Sequence, residues 1–92
     1  MTRVIYSDQA KASLRSIVLF ISEHDPEAAV RLVDELQRRV DGLLTQFPKA
    51  GTRAACGRRF VTIRRHAVLY RHDAAKGVVV VLDVFGPRVD WR

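Results

Sequence analysis

The sequence predicts an α+β domain of order β-α-α-β-β-β, with a helical hairpin packed on a small, mostly antiparallel sheet. Three observations carry this. Two segments between residues 8 and 47 repeat their apolar residues at helical spacing, and a short junction separates them. After residue 59 the apolar period changes to two. The chain then reaches an unbroken apolar run, "VVVVLDVF" at 78–85, which reads as an interior strand.

Each element has a local reason. "RVIY" at 3–6 reads as a short strand, and Ser7 or Asp8 supplies a helix N-cap. Ala10, Leu14, Ile17, Val18 and Ile21 then fall on one stripe. Leu19 and Phe20 lie off it, to flank the second helix or to face a partner. In "EHDPEAA", Asp25 caps the next helix, Pro26 suits its first position and Glu27 suits its dipole. Ala29, Leu32, Val33, Leu36, Val40, Leu43, Leu44 and Phe47 form its apolar face. Asp34 precedes Arg38 by four residues, as Glu35 precedes Arg39, the favourable order for exposed helical pairs. Pro48 and Gly51 end the helix, and "TRAACGRR" reads as a loop. "FVTIRRH" and "AVLYRHD" read as adjacent strands joined tightly near 65–67, and "DAAKG" at 73–77 as a turn. Two helices cover one face of a small sheet. The expected phase leaves Val79, Val81 and Phe85 on the other face, for a loop, the tail or a partner to cover.

Residues 1–92 are short enough for a single domain, and 48% apolar residues exclude disorder as the default. No apolar stretch is long enough to span a membrane, and "MTRVIYSDQAK" has no secretory pattern. The lone Cys56 cannot form an internal disulfide and reads as an unreactive loop thiol; with it, a cytoplasmic protein is expected. The net charge is +6, with 13 Arg against 3 Lys, and it is unevenly placed. Residues 1–46 carry 6 basic and 7 acidic side chains, residues 47–92 carry 10 and 3. Such a basic half suits nucleic acid or an acidic protein surface, and arginine suits bidentate contacts to phosphate or carboxylate. His24, His66, His72 and Cys56 lack metal-site spacing, and no phosphate-cradling or dinucleotide fingerprint occurs, so neither metal nor cofactor is expected.

Several scattered pieces together resemble the RelE/ParE superfamily of bacterial toxins. They are the helical junction "FISEHDPEAAVRLVDEL", L-x-x-F-P-x-x-G at 44–51, Arg59, "VLYR" at 68–71 and V-x-x-x-R-x-D at 84–90. The resemblance, strongest to the ParE-like branch, implies the toxin of a type II toxin–antitoxin pair. ParE-like toxins poison DNA gyrase and are not known as enzymes; RelE-like toxins cut mRNA on the ribosome. Both kinds are neutralised by a cognate antitoxin in a hetero-oligomer, and promoter DNA is reached only through that antitoxin.

Metal-independent RNA cleavage needs a base, an acid and cations around the phosphate. A nuclease here would draw on His66, Tyr70, Arg71 and Arg88. Each also has a structural reading: His66 at a strand turn, Tyr70 with a packed ring and a bonded hydroxyl. RelE-like nucleases tend to carry a tail Tyr or His and lysines before the second strand. This chain has Trp91 in the tail and only Lys49 near that strand, and Gly86 stands where many relatives have His. The resemblance therefore leans to the non-enzymatic, gyrase-binding kind, with the ribosome-dependent nuclease as alternative and a basic nucleic-acid-binding module as a third reading. Arg59, Arg64, Arg65, Arg88 and Trp91 are the expected target-binding residues. Val79, Val81, Phe85 and Phe20 are the expected antitoxin-binding ones.

Overall fold

Ser7 starts the helical hairpin and ties it to the far end of the chain. Its Oγ accepts from Ala10 N at 3.1 Å, capping α1 (Asp8–Ser22), and donates to the Leu82 carbonyl at 2.9 Å. α2 (Pro26–Gln46) opens as the sequence predicts, with Asp25 Oδ1 accepting from Ala28 N at 3.0 Å and Pro26 in the first turn. These features belong to a computed structural model, which describes residues 2–86.

The strands are β1 (Arg3–Tyr6), β2 (Thr52–Arg53), β3 (Arg59–Ile63), β4 (His66–Asp73) and β5 (Val78–Phe85). They form one sheet in the order β1-β5-β4-β3-β2. β1 runs parallel to β5, and every other pairing is antiparallel. The α+β architecture and the interior place of β5 match the sequence expectation. β2 does not: two residues of the expected loop pair with β3, too few to leave a periodic signal. The β3–β4 turn is Arg64–Arg65, one residue earlier than expected. Both residues have positive φ, +50° and +68°, so neither Gly nor Asn announced a turn of this kind.

The core lies between the hairpin and one sheet face. Ala10 and Leu14 of α1 and Leu36, Val40 and Leu44 of α2 are buried against Val68, Tyr70, Val79, Val81 and Val84. Val79 and Val81 are fully buried, which corrects their expected place on the uncovered face. An apolar run that fills both phases of a strand cannot say which phase meets the helices. The β4–β5 register also shifts between Leu69 and Tyr70, so the phase changes along β5. Val84 stays with the core while Phe85, paired with Ala67, turns to the face opposite the helices with Val80. Phe85 thus occupies the expected face; Val79 and Val81 do not.

Two further corrections concern the helices. Leu19 and Phe20 do not pack on α2: they are 69% and 64% exposed. Phe47, expected to close the α2 apolar face, is 59% exposed because it forms the C-cap, where the chain leaves the helical path. The Asp34–Arg38 and Glu35–Arg39 pairs form as expected.

Candidate functional site: a basic cleft beside the short edge strand

Past the end of α2, the chain turns through Phe47–Gly51 into the edge strand β2 and is fixed from below. Tyr70 is fully buried, and its hydroxyl accepts from Gly51 N at 2.8 Å. Arg59 Nη1 donates to the Gly51 carbonyl at 2.9 Å and to that of Lys49 at 3.3 Å. The loop is thereby pinned over the sheet edge. Its floor is set by strand register, with Arg53 opposite Arg59 and Arg59 opposite Tyr70. The 3₁₀ turn Ala55–Gly57 lets Arg58 Nε donate to the Ala55 carbonyl at 3.1 Å.

These constraints shape an open cleft of about 400 Å³ lined by Lys49, Arg53, Arg58, Arg59 and His72, with no carboxylate among the described residues of its wall. Arg53 and Arg59 face one another directly, a like-charge pairing that is unfavourable unless neutralised. Among the described residues no ion pair reaches any of the four lysine and arginine side chains. Such a constellation attracts a multiply charged anion.

Of the expected nuclease set, the three described members do not converge. His66 is buried, not exposed as a turn residue would be. Its Nδ1 lies 2.8 Å from the Arg64 carbonyl, which can only accept, so Nδ1 carries the proton. Tyr70 holds Gly51. Arg71, paired with Val80, projects to the face opposite the helices, away from both. Of the expected target-binding cations, Arg59 clamps the loop, Arg64 pairs with Glu35, and Arg65 is exposed at the hairpin tip. Arg88 and Trp91 lie outside the described residues. Sequence reasoning missed Arg53 as part of a site. Its charge was visible, but only the β2–β3 register brings it to Arg59, and two residues of strand carry no readable period.

Among the described residues no group of three His, Cys, Asp or Glu side chains could hold a metal. Among the described residues no helix is long and apolar enough to cross a membrane.

Comparison with known proteins adds the ancestry. A sequence comparison with curated proteins finds no match. Solved structures show the same fold. A chain of the chromosomal ParDE toxin–antitoxin system from P. aeruginosa is 21% identical, with 94% of this chain and 96% of that chain covered and a TM-score of 0.77. A chain of the RelBE2 toxin–antitoxin complex from Mycobacterium tuberculosis is 20% identical, covering 92% and 96%, with a TM-score of 0.64. A chain of the intact E. coli RelBE toxin–antitoxin complex is 13% identical, covering 94% and 96%, with a TM-score of 0.66. The family model for the ParE toxin of the type II toxin–antitoxin system parDE matches residues 4–91. With nearly the whole chain inside that match, the protein belongs to the ParE toxin family, within the RelE/ParE superfamily of type II toxin–antitoxin toxins.

Proposed function

We propose that this toxin inhibits growth by binding and poisoning DNA gyrase, without being an enzyme. The observation that carries this reading is the use already made of the two best proton carriers. His66 is buried with its Nδ1 proton committed, and Tyr70 is buried with its hydroxyl on Gly51, so neither reaches a substrate. Target contacts fall to the exposed cations, Arg65 among them, and to Arg88 and Trp91 of the tail.

The partner that silences it is a cognate antitoxin, in a cytoplasmic hetero-oligomer that meets promoter DNA only through the antitoxin. Phe20 and its neighbour Leu19 offer exposed apolar area on α1 for that partner, and Phe85 contributes from the opposite sheet face. A second reading, the ribosome-dependent nuclease, has one observation in its favour: His72 stands among the cations of the cleft.

Induction in a bacterial host separates the two. The gyrase reading expects broken DNA and an SOS response, with mRNA intact. Arrested translation with mRNA cut in the ribosomal A site, abolished by His72→Ala, would replace it with the second reading.

A further inference from the structure

We propose that two copies of this chain, when free of antitoxin, pair through the outer face of α1, helix against antiparallel helix. The pairing concerns the free toxin and does not depend on which target the toxin poisons.

α1 turns Ala10, Leu14 and Ile17 to the core. Its opposite side carries Ala12, Ser16, Leu19 and Glu23 at helical spacing, with Phe20 flanking them. Leu19 and Phe20 are adjacent in the chain and largely exposed. The other large exposed apolar side chains among the described residues, Ile5, Val30 and Phe47, belong one each to β1, α2 and the α2 C-cap. Apolar side chains exposed singly need no partner, whereas two together mark a contact. The outer face is also graded in size, with Ala12 and Ser16 towards its start and Leu19 and Phe20 towards its end. An antiparallel copy, related by a two-fold axis between Ser16 and Leu19, lays the large end of each helix on the small end of the other.

The second observation is the order of charge along the helix. Lys11 and Arg15 lie in its first half, Glu23 is its C-cap, and its last turn holds no basic residue. A carboxylate at that end opposes the helix dipole, which favours a cation there. Among the described residues no ion pair reaches Lys11, Arg15 or Glu23. The antiparallel copy supplies what is missing: Arg15 of each helix comes beside Glu23 of the other, twice by symmetry, and the two dipoles run head to tail. A partner of unrelated sequence would need a matching charge order of its own, which a second copy already has. The antitoxin contact proposed above uses Leu19 and Phe20 too, so the pair and the toxin–antitoxin complex exclude one another; the pairing itself does not rest on that contact.

The test is sedimentation equilibrium of the purified full chain, free of antitoxin. One helix face against another is a contact at the small end of specific interfaces, so a dimer with Kd on the order of 10 µM is expected, read at concentrations up to about 200 µM. Phe20→Ala weakens it about 30-fold, as loss of a central aromatic anchor does. Arg15→Glu and Glu23→Arg each weaken it roughly 10-fold, since the two-fold axis repeats each pair. The double variant restores the dimer, which a role confined to the folding of one chain would not give. Arg15, Phe20 and Glu23 are all exposed, so the variants keep the fold; a thermal melt verifies this. A chain that stays monomeric throughout the range would overturn the proposal and leave this face to the antitoxin alone. A dimer indifferent to Phe20→Ala would place the contact elsewhere on the chain and overturn it equally. Loss of the dimer in both charge variants without recovery in the double variant would remove the antiparallel register, and with it the proposal as stated.

Discussion

Gly51→Ala isolates the joint that holds the cleft together. An alanine Cβ at this position would lie 2.6 Å from the Phe60 carbonyl oxygen, 2.6 Å from the Tyr70 hydroxyl and 2.8 Å from a Tyr70 ring carbon. None of these neighbours yields easily. The carbonyl belongs to β3, and Tyr70 is enclosed on all sides. Overpacking of this kind costs about 1–3 kcal/mol. The same methyl pushes apart Gly51 N and the hydroxyl it bonds at 2.8 Å, and leaving such a buried group unmade costs about 1–3 kcal/mol more. The midpoint of the combined range is about 4 kcal/mol, which for a domain of this size lowers Tm by roughly 15–30 °C. Urea unfolding of the purified chain reads the loss, and a double-mutant cycle identifies its cause. Tyr70→Phe alone loses one hydrogen bond, about 1–2 kcal/mol. Together with Gly51→Ala it costs less than the sum, by about 1 kcal/mol, because one of the two nearest atoms is then gone. A Gly51→Ala protein within about 1 kcal/mol of the parent, or strict additivity in the cycle, would refute the account of Gly51 as a position closed to any side chain.

Other expectations are smaller. Glu35→Gln removes the carboxylate shared by Arg39 and Arg64; all three side chains are substantially exposed, so the loss is about 0.5–1 kcal/mol in dilute buffer and shrinks with added salt in the same unfolding assay. Arg65→Gly relieves a left-handed backbone at φ +68° and stabilises the chain by about 0.5 kcal/mol, seen as a higher Tm; a lower Tm would mean that the Arg65 side chain contributes more than the turn costs. The Tyr6 phenol is pushed well above its usual range, first by burial and then by the Asp41 carboxylate that accepts its proton at 3.0 Å. A raised folded value means the contribution of Tyr6 is complete below the unfolded value of about 10 and is lost as pH rises beyond it. The stability difference between the parent and Tyr6→Phe should therefore be flat from pH 7 to 9 and fall above pH ~10. Removing residues 88–92 should leave antitoxin binding intact and reduce toxicity sharply in an induction assay; undiminished toxicity of the folded truncation would make the tail dispensable.

The sequence stated some of this plainly and withheld the rest for physical reasons. Caps are local, so Ser7 and Asp25 were legible where they stand. β1 and β5 were legible from end to end, being bounded by Ser7 and by the turn at 73–77 and Gly86. The face of β5 was not, because "VVVVL" satisfies both phases and a register shift beside Leu82 changes phase without a marker residue. His66 was misplaced by one strand position, since an Arg-Arg turn in left-handed geometry has no composition signal. Burial follows from that single step: as the first residue of β4, His66 points inward. The cleft is the least legible feature. Its five side chains come from the α2–β2 loop, β2, the approach to β3, β3 and β4, and only the antiparallel register assembles them.

The parallel pairing of β1 with β5 has a consequence in time. Arg3–Tyr6 are made long before Val78–Phe85, yet each Val of 78–81 is the register partner of a residue in 3–6. Ser7 reaches across the same interval to the carbonyl of Leu82. Until the final strand is synthesised, β1 has no neighbour to join, and the inner stripe of α1 has no floor to rest on. Closure of the domain therefore waits on β5, as contacts so distant in sequence are slow to form. A ribosome-bound fragment that lacks β5 is held in an unfinished state with its apolar hairpin exposed. For a toxin of a toxin–antitoxin pair, this topology delays the folded form until β5 has been made, and gives a ready-made antitoxin that interval in which to meet the chain.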